Sequence, residues 1–241
     1  MLSFVGDILL AQKERSNEPD KEFNLLREMP MKNLRPIFDP AIPLLSDKVF
    51  VGREKDIIAI KRQLRGRGNL AFTTLNGLPG IGKTALAVTL AHDPEMRTYF
   101  SDGVLWAGLG PNPNVPRLLS RWGLLLGISK RQMATLSGNE AWAHAIRIAI
   151  GASKVLLVID DVWQLEEALT FRVGGPNCAH LVTTRFPSIA AHMAVDGATM
   201  MEELNEEQSF QLLNSLAPEV VSREAQKAHD LVNAVGGLPW L

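Results

Sequence analysis

The chain has 241 residues, 46% of them hydrophobic, which is enough for a sizeable core of one large domain or one domain with a small appendage and excludes a disordered polymer. Twenty-five Lys plus Arg stand against 26 Asp plus Glu, a net charge of -1, so no overall positive field exists to attract nucleic acid or anionic lipid through this portion. The single cysteine, Cys178, excludes an internal disulfide and any multi-cysteine metal site, as suits a reducing compartment.

The start, residues 1–11, is apolar but broken by Asp7 and without the basic flank of a secretory signal; it reads as a short amphipathic helix or a frayed end. No run of membrane length follows, so a cytoplasmic location is the default expectation and no membrane partner is expected. Residues 12–47 turn polar and carry Pro19, Pro30, Pro36, Pro40 and Pro43, which reads as a linker or an irregular strap whose Leu34, Ile37, Phe38, Ile42, Leu44 and Leu45 could dock on a neighbouring surface. From Glu54 to Leu64 a helix is expected, with Ile57, Ile58, Ile60 and Leu64 as its buried stripe.

A strand is expected over 70–75, a glycine-rich loop over 77–84, and a helix after it. Next come a strand at 104–109, helices at 116–126 and 140–150, and apolar strands at 155–159 and 180–184. Short apolar strands separated by helices indicate a parallel sheet covered on both faces, an α/β fold of the doubly wound αβα sandwich type. Beyond residue 203 the pattern turns helical: Asn205 to Gln208 opens a helix to Leu216, and Ser222-Arg223-Glu224 opens a second from Ala225 to Val235, closed by Gly236-Gly237. The expected organisation is 1–47 as helix and linker, 48–203 as the sandwich, and 204–241 as the opening of a small helical domain.

The loop Gly77-Leu78-Pro79-Gly80-Ile81-Gly82-Lys83-Thr84 carries the chemistry. Its glycines let backbone N–H groups converge on a phosphate while the helix beginning near Ala85 presents its positive dipole end to the same charge. Lys83 supplies a cation for the β- and γ-phosphates, and Thr84 a hydroxyl for Mg²⁺. The strand ending in Ile159-Asp160-Asp161 delivers acids to the same sheet edge, Asp160 for Mg²⁺ and Asp161, one residue beyond the regular strand, for the attacking water. Two adjacent acids at a strand end also suit a helix-capping turn. Arg185, at the exit of the last strand, can reach a γ-phosphate, and equally suits a surface position. Trp106, Trp163 and Phe186 read as packing residues, and His92, His144, His180 and His192 lack ligand spacing, so no zinc or haem is implied.

The order Val51-Gly52-Arg53-Glu54, Gly77 to Thr84, Leu156 to Trp163, Leu181 to Arg185 and Gly236 to Pro239 resembles the NB-ARC ATPases, a P-loop NTPase group of signal-transduction proteins that includes apoptotic-protease activators, plant disease-resistance proteins and bacterial regulators. The resemblance covers 48–241, and the Asp-Asp-Val-Trp form separates it from transporters and most helicases. It implies that Val51, Gly52 and Arg53 lie beside the adenine and ribose, and that Pro239 closes over the base from the helical side. The expected binding set is therefore Val51, Gly52, Arg53, Gly77, Gly80, Ile81, Gly82, Lys83, Thr84, Ala85 and Pro239, with Lys83, Asp161 and Arg185 catalytic and Thr84 and Asp160 on the metal. Such proteins continue into a winged-helix domain whose Met-His-Asp motif contacts ADP, and that tripeptide does not occur in these residues.

The leading expectation is a switch controlled by ATP and ADP. ATP with Mg²⁺ favours an open, self-associating form, and slow hydrolysis restores a closed one. Two other readings stand beside it: a motor-like ATPase of the AAA+ or helicase class, which usually carries Asp-Glu where this chain has Asp160-Asp161, and an ADP-stabilised scaffold that hydrolyses little.

Overall fold

The computed structural model describes residues 36–45, 51–66, 70–76, 80–194 and 198–237, with the backbone alone for 70–76. The expected helix at 1–11, linker residues 12–35 and 46–47, Gly77 and Pro239 lie outside these. Among the described residues the sheet has β1 (Ile37–Phe38), β2 (Leu70–Asn76), β3 (Gly103–Gly110), β4 (Val155–Val162), β5 (Cys178–Thr184) and β6 (Thr199–Met200). Their order is β1-β3-β4-β5-β2-β6, and every pairing is parallel. The central strands β4 and β5 are buried almost end to end, as Val, Leu and Ile runs covered on both faces must be.

Helices α1 (Glu54–Gly66), α2 (Lys83–His92), α3 (Pro94–Tyr99), α4 (Val115–Leu125), α5 (Lys130–Met133), α6 (Gly138–Ile150), α7 (Leu165–Thr170) and α8 (Pro187–Met193) interleave with the strands. One core layer joins Ile60 and Leu64 of α1, Leu86 and Leu90 of α2, Met96 and Phe100 to alternate strand residues Val104, Trp106, Leu156, Val158, Ala179 and Leu181. Strand alternation sends Leu105, Leu157 and Ile159 to the opposite layer. There Trp122 of α4 meets Phe171 edge to face at 5.1 Å, and its indole N–H donates to the Trp106 carbonyl at 3.0 Å. In α1 the expected stripe is narrower than read: Ile57 is half-buried and Ile58 is 59% exposed, because 57 and 58 sit about 100° apart on the helix and only one can follow Ile60 and Leu64 inward.

Of the proline-rich strap, residues 36–45 are described: they lie along the sheet edge, but Leu44 and Leu45, expected to dock, are 91% and 48% exposed. β1 pairs with the edge of β3 so closely that a Cβ on Gly103, at φ +138°, would stand 2.2 Å from the Ile37 carbonyl oxygen. Asp39, wholly buried, accepts from the Trp106 and Ala41 N–H groups at 3.0 and 2.9 Å and pairs with Arg121 of α4 at 3.4 Å. Ile42 is buried beside it.

The C-terminal segment holds α9 (Glu206–Leu216), α10 (Pro218–Arg223) and α11 (Ala225–Val235), three helices where two were expected. Pro218 starts α10 at its first position, where a missing N–H costs nothing, so Ser222 lies inside that helix and does not cap α11. Asn205 and Gln208 close a reciprocal capping box on α9 as expected.

Candidate functional site

The phosphate loop is described from Gly80 onward. Gly80 and Gly82 have φ of +80° and +99°, a backbone only glycine adopts without strain, and a Cβ on Gly82 would meet open space within 4 Å. Gly82 is the N-cap of α2 and no side chain caps it, so the first N–H groups of this ten-residue helix have no side-chain acceptor at the cap and are available to an anion. Ile81 is buried and anchors the loop, while Ala85 is exposed in the first turn. Lys83 is half-buried; desolvation lowers its pKa, the neighbouring Arg185 charge lowers it further, and Asp161 and Asp160 oppose the shift.

Parallel β4 brings the acids to the same place. The Thr84 hydroxyl donates to both carboxylate oxygens of Asp160, at 3.0 and 3.1 Å, and the Thr183 hydroxyl donates to Oδ1 at 2.6 Å. Asp160 is 7% exposed; burial raises its pKa, against the two hydroxyl bonds that lower it, and the charge of Asp161 adds to the rise. Thr84 and Asp160 thus bring hard oxygen donors together, a set that fits Mg²⁺.

Asp161 does not lie beyond the strand, as the sequence suggested, but inside it. β4 runs on to Val162, and between Ile159 and Val162 its register against β5 slips: Ile159 faces Val182 while Val162 faces Thr184. Asp160 and Asp161 together therefore oppose Thr183 alone, a β-bulge, with Asp161 at φ +53°. The Asp161 N–H donates to the Thr183 hydroxyl at 2.9 Å, which binds both halves of the bulge. Asp161 Oδ2 accepts from the Trp163 indole N–H at 3.1 Å, and Oδ1 faces Arg185 Nη2 at 3.6 Å. The Arg185 guanidinium lies 4.7 Å over the Trp163 ring.

The Val51-Gly52-Arg53 segment lies on the other side of the loop. Arg53 is 6% exposed, and its Nη2 donates to the Ile81 carbonyl at 3.3 Å and to the Glu202 carbonyl. Gln208 of α9 donates from Nε2 to the Gly52 carbonyl at 3.0 Å while its Oε1 accepts from the Asn205 N–H. Arg53 and Gln208 thus brace the phosphate loop against the segment leading into the helical region. Gly77 and Pro239 are the expected site residues outside the described region. Thr183 and Trp163 were not singled out from sequence as site residues, although both lie inside the motif stretches; no sequence signal marks the bulge that brings them together. Among the described residues no group of three His, Cys, Asp or Glu side chains converges on a metal position, and no helix is long and apolar enough to cross a membrane.

The chain is 29% identical over 198 residues to the regulatory protein AfsR of Streptomyces coelicolor, covering 79% of this chain and 19% of that protein. It is 29% identical over 174 residues to a probable disease resistance protein of Arabidopsis thaliana, covering 68% and 19%. It is 24% identical over 208 residues to human apoptotic protease-activating factor 1, covering 79% and 16%. The chain thus spans less than a fifth of the length of these curated relatives. Among solved structures, a signal transduction ATPase with numerous domains (STAND) and a tetratricopeptide repeat sensor, from Pyrococcus horikoshii, shares the fold at TM-score 0.54 and 19% identity, over 81% of this chain and 30% of that one. Cdc6p from Pyrobaculum aerophilum does so at 0.52 and 16%, over 74% and 52%. Residues 53–223, which hold Arg53, the phosphate loop, the bulged acids and Arg185, match the NB-ARC domain, and with a parallel sheet that presents them at one edge, the chain belongs to the NB-ARC family of nucleotide-binding domains.

Proposed function

We propose that this domain binds ATP and ADP with Mg²⁺ and acts as a slow hydrolytic switch. The observation that carries the reading is the meeting of the phosphate loop with the bulged acids through the Thr84–Asp160 hydrogen bonds. On this reading the N–H groups of Gly80 to Ala85 and the Lys83 ammonium bind phosphates. Thr84 and Asp160 hold Mg²⁺, which when bound neutralises charge on the phosphate oxygens. Asp161 orients water, and Arg185 answers to the terminal phosphate. Val51, Gly52 and, from the helical side, Pro239 border the base, with 204–241 as the opening of a second lobe. Arg53 contributes by bracing Ile81, since its guanidinium is already engaged. A location in the cytoplasm and self-association of the whole protein in the ATP state belong to the same proposal. The Asp-Asp pair at the end of β4 favours a slow switch over a motor.

Calorimetric titration of ATP and ADP into the chain and its Lys83→Ala variant tests the reading. The variant should keep its fold and lose affinity by on the order of a hundredfold, as follows when phosphate charge loses a fixed cation. Equal affinity of the two proteins for both nucleotides would overturn it.

A further inference from the structure

Trp163 touches both Asp161 and Arg185. Its N–H holds Oδ2 of the carboxylate at 3.1 Å, and its ring face lies 4.7 Å under the guanidinium, whose Nη2 is 3.6 Å from Oδ1. Phe186 meets the indole edge to face at 5.6 Å and limits its rotation. The Arg185–Asp161 separation exceeds a normal hydrogen bond, both side chains are about one-third exposed, and Arg185 Nε is buried without a hydrogen-bond partner. The guanidinium is therefore held loosely, with donor capacity unspent.

We infer that Trp163 is a positioning residue that ties Asp161 and Arg185 into one latch. The inference rests on the nucleotide-hydrolysing reading above and deepens it. In the latched state described here, Arg185 Nη2 faces at ion-pair distance, and shields, Oδ1 of Asp161, the oxygen that would meet water. A terminal phosphate group competes for the same guanidinium and offers more charge. When Arg185 moves to it, Oδ1 is vacated while Trp163 keeps Oδ2 fixed, so the carboxylate is freed without swinging out of line. Water then attacks the terminal phosphorus: its oxygen forms the new P–O bond, the bond from that phosphorus to the bridging oxygen breaks, the bridging oxygen leaves on the β-phosphate of ADP with the electron pair, and the water proton passes to Oδ1 and on to solvent. A diphosphate gives Arg185 nothing to move to, and the latch stays shut.

The test uses the 241-residue chain and its Trp163→Phe and Trp163→Leu variants. Trp163→Phe keeps a ring under Arg185 but has no N–H for Asp161. Affinity for ADP and for a non-hydrolysable ATP analogue, read by calorimetry, should stay within about threefold of the parent, whereas single-turnover hydrolysis should fall about tenfold for Phe and further for Leu, a loss confined to the chemical step. The second readout is indole emission, taken as the parent spectrum minus that of Trp163→Phe. It should change on adding the ATP analogue and not on adding ADP, because a cation leaves the ring only in the first case. Hydrolysis by Trp163→Phe at the parental rate, or a difference spectrum that answers equally to both nucleotides, overturns the latch. A parent chain that binds neither nucleotide overturns the underlying functional reading and the latch with it.

Discussion

At the scale of single residues, Asp161 shows what the site demands of the backbone. A left-handed φ of +53° is strained for most L-residues and tolerated by Asn and Asp, whose short polar side chains bond locally. Asp161→Asn should therefore remain about 1 kcal/mol more stable than Asp161→Ala, since Asn accepts the conformation and can still accept from Trp163, whereas Ala bears the full left-handed penalty. Urea unfolding of the two variants measures the difference, and equal stability would mean the bulge relaxes. The sequence announced the two acids and their sheet edge because strand pattern and motif order are local properties. The bulge was not legible, because it depends on Thr183 from β5 serving both residues with one hydroxyl.

At the scale of elements, the strap is the clearest case of a segment whose composition misleads. Prolines at 36, 40 and 43 argue against a long helix and say nothing against a two-residue edge strand, which needs few ladder bonds. What fixes it is Asp39, with no exposed surface, whose carboxylate serves two backbone N–H groups and Arg121. Asp39→Ala should lower unfolding free energy by about 3 kcal/mol, because it orphans the buried Trp106 N–H and leaves Arg121 without its counter-charge. Thermal or urea unfolding checks this, and a loss under 1 kcal/mol would show the strap to be loosely laid. The helices and central strands, by contrast, were legible in outline, since their apolar periods are set by burial that every doubly wound sheet imposes. The short helices α3, α5, α7 and α8 were not, being too brief to show a period.

For the whole molecule, acid sensitivity follows from one core histidine. His180 of β5 is completely buried, and burial, reinforced by the charge of Arg172, lowers its pKa from 6.5 to about 3. Its ring accepts from the Gly174 N–H at 3.3 Å. The unfolded chain binds a proton below pH 6.5 that the folded chain refuses until about pH 3, so stability is complete above 6.5 and drains away as pH falls through that window. At pH 5.5 the His180 contribution to this loss is about 1 kcal/mol. Denaturant midpoints at pH 7.5 and 5.5 should differ accordingly, and unchanged midpoints would show that His180 titrates normally in the fold.

Among the described residues the sheet is also finished at both ends by strands of two residues, β1 beside β3 and β6 beside β2. A long, flat outer strand is a template on which a second chain can add its own, whereas a stub offers too few free N–H and C=O groups to recruit one. β3 is eight residues of mostly buried, apolar sequence, the kind of rim on which aggregation would start were it bare at Gly103 and Val104. The family match begins at Arg53, after β1, so the guard on that rim comes from outside the nucleotide-binding motifs. A chain cut to begin at Arg53 would keep Gly80 to Thr84, the bulged acids and Arg185 but lose β1 from the β3 edge, and at equal concentration it should scatter more light than the parent as its copies pair through that rim.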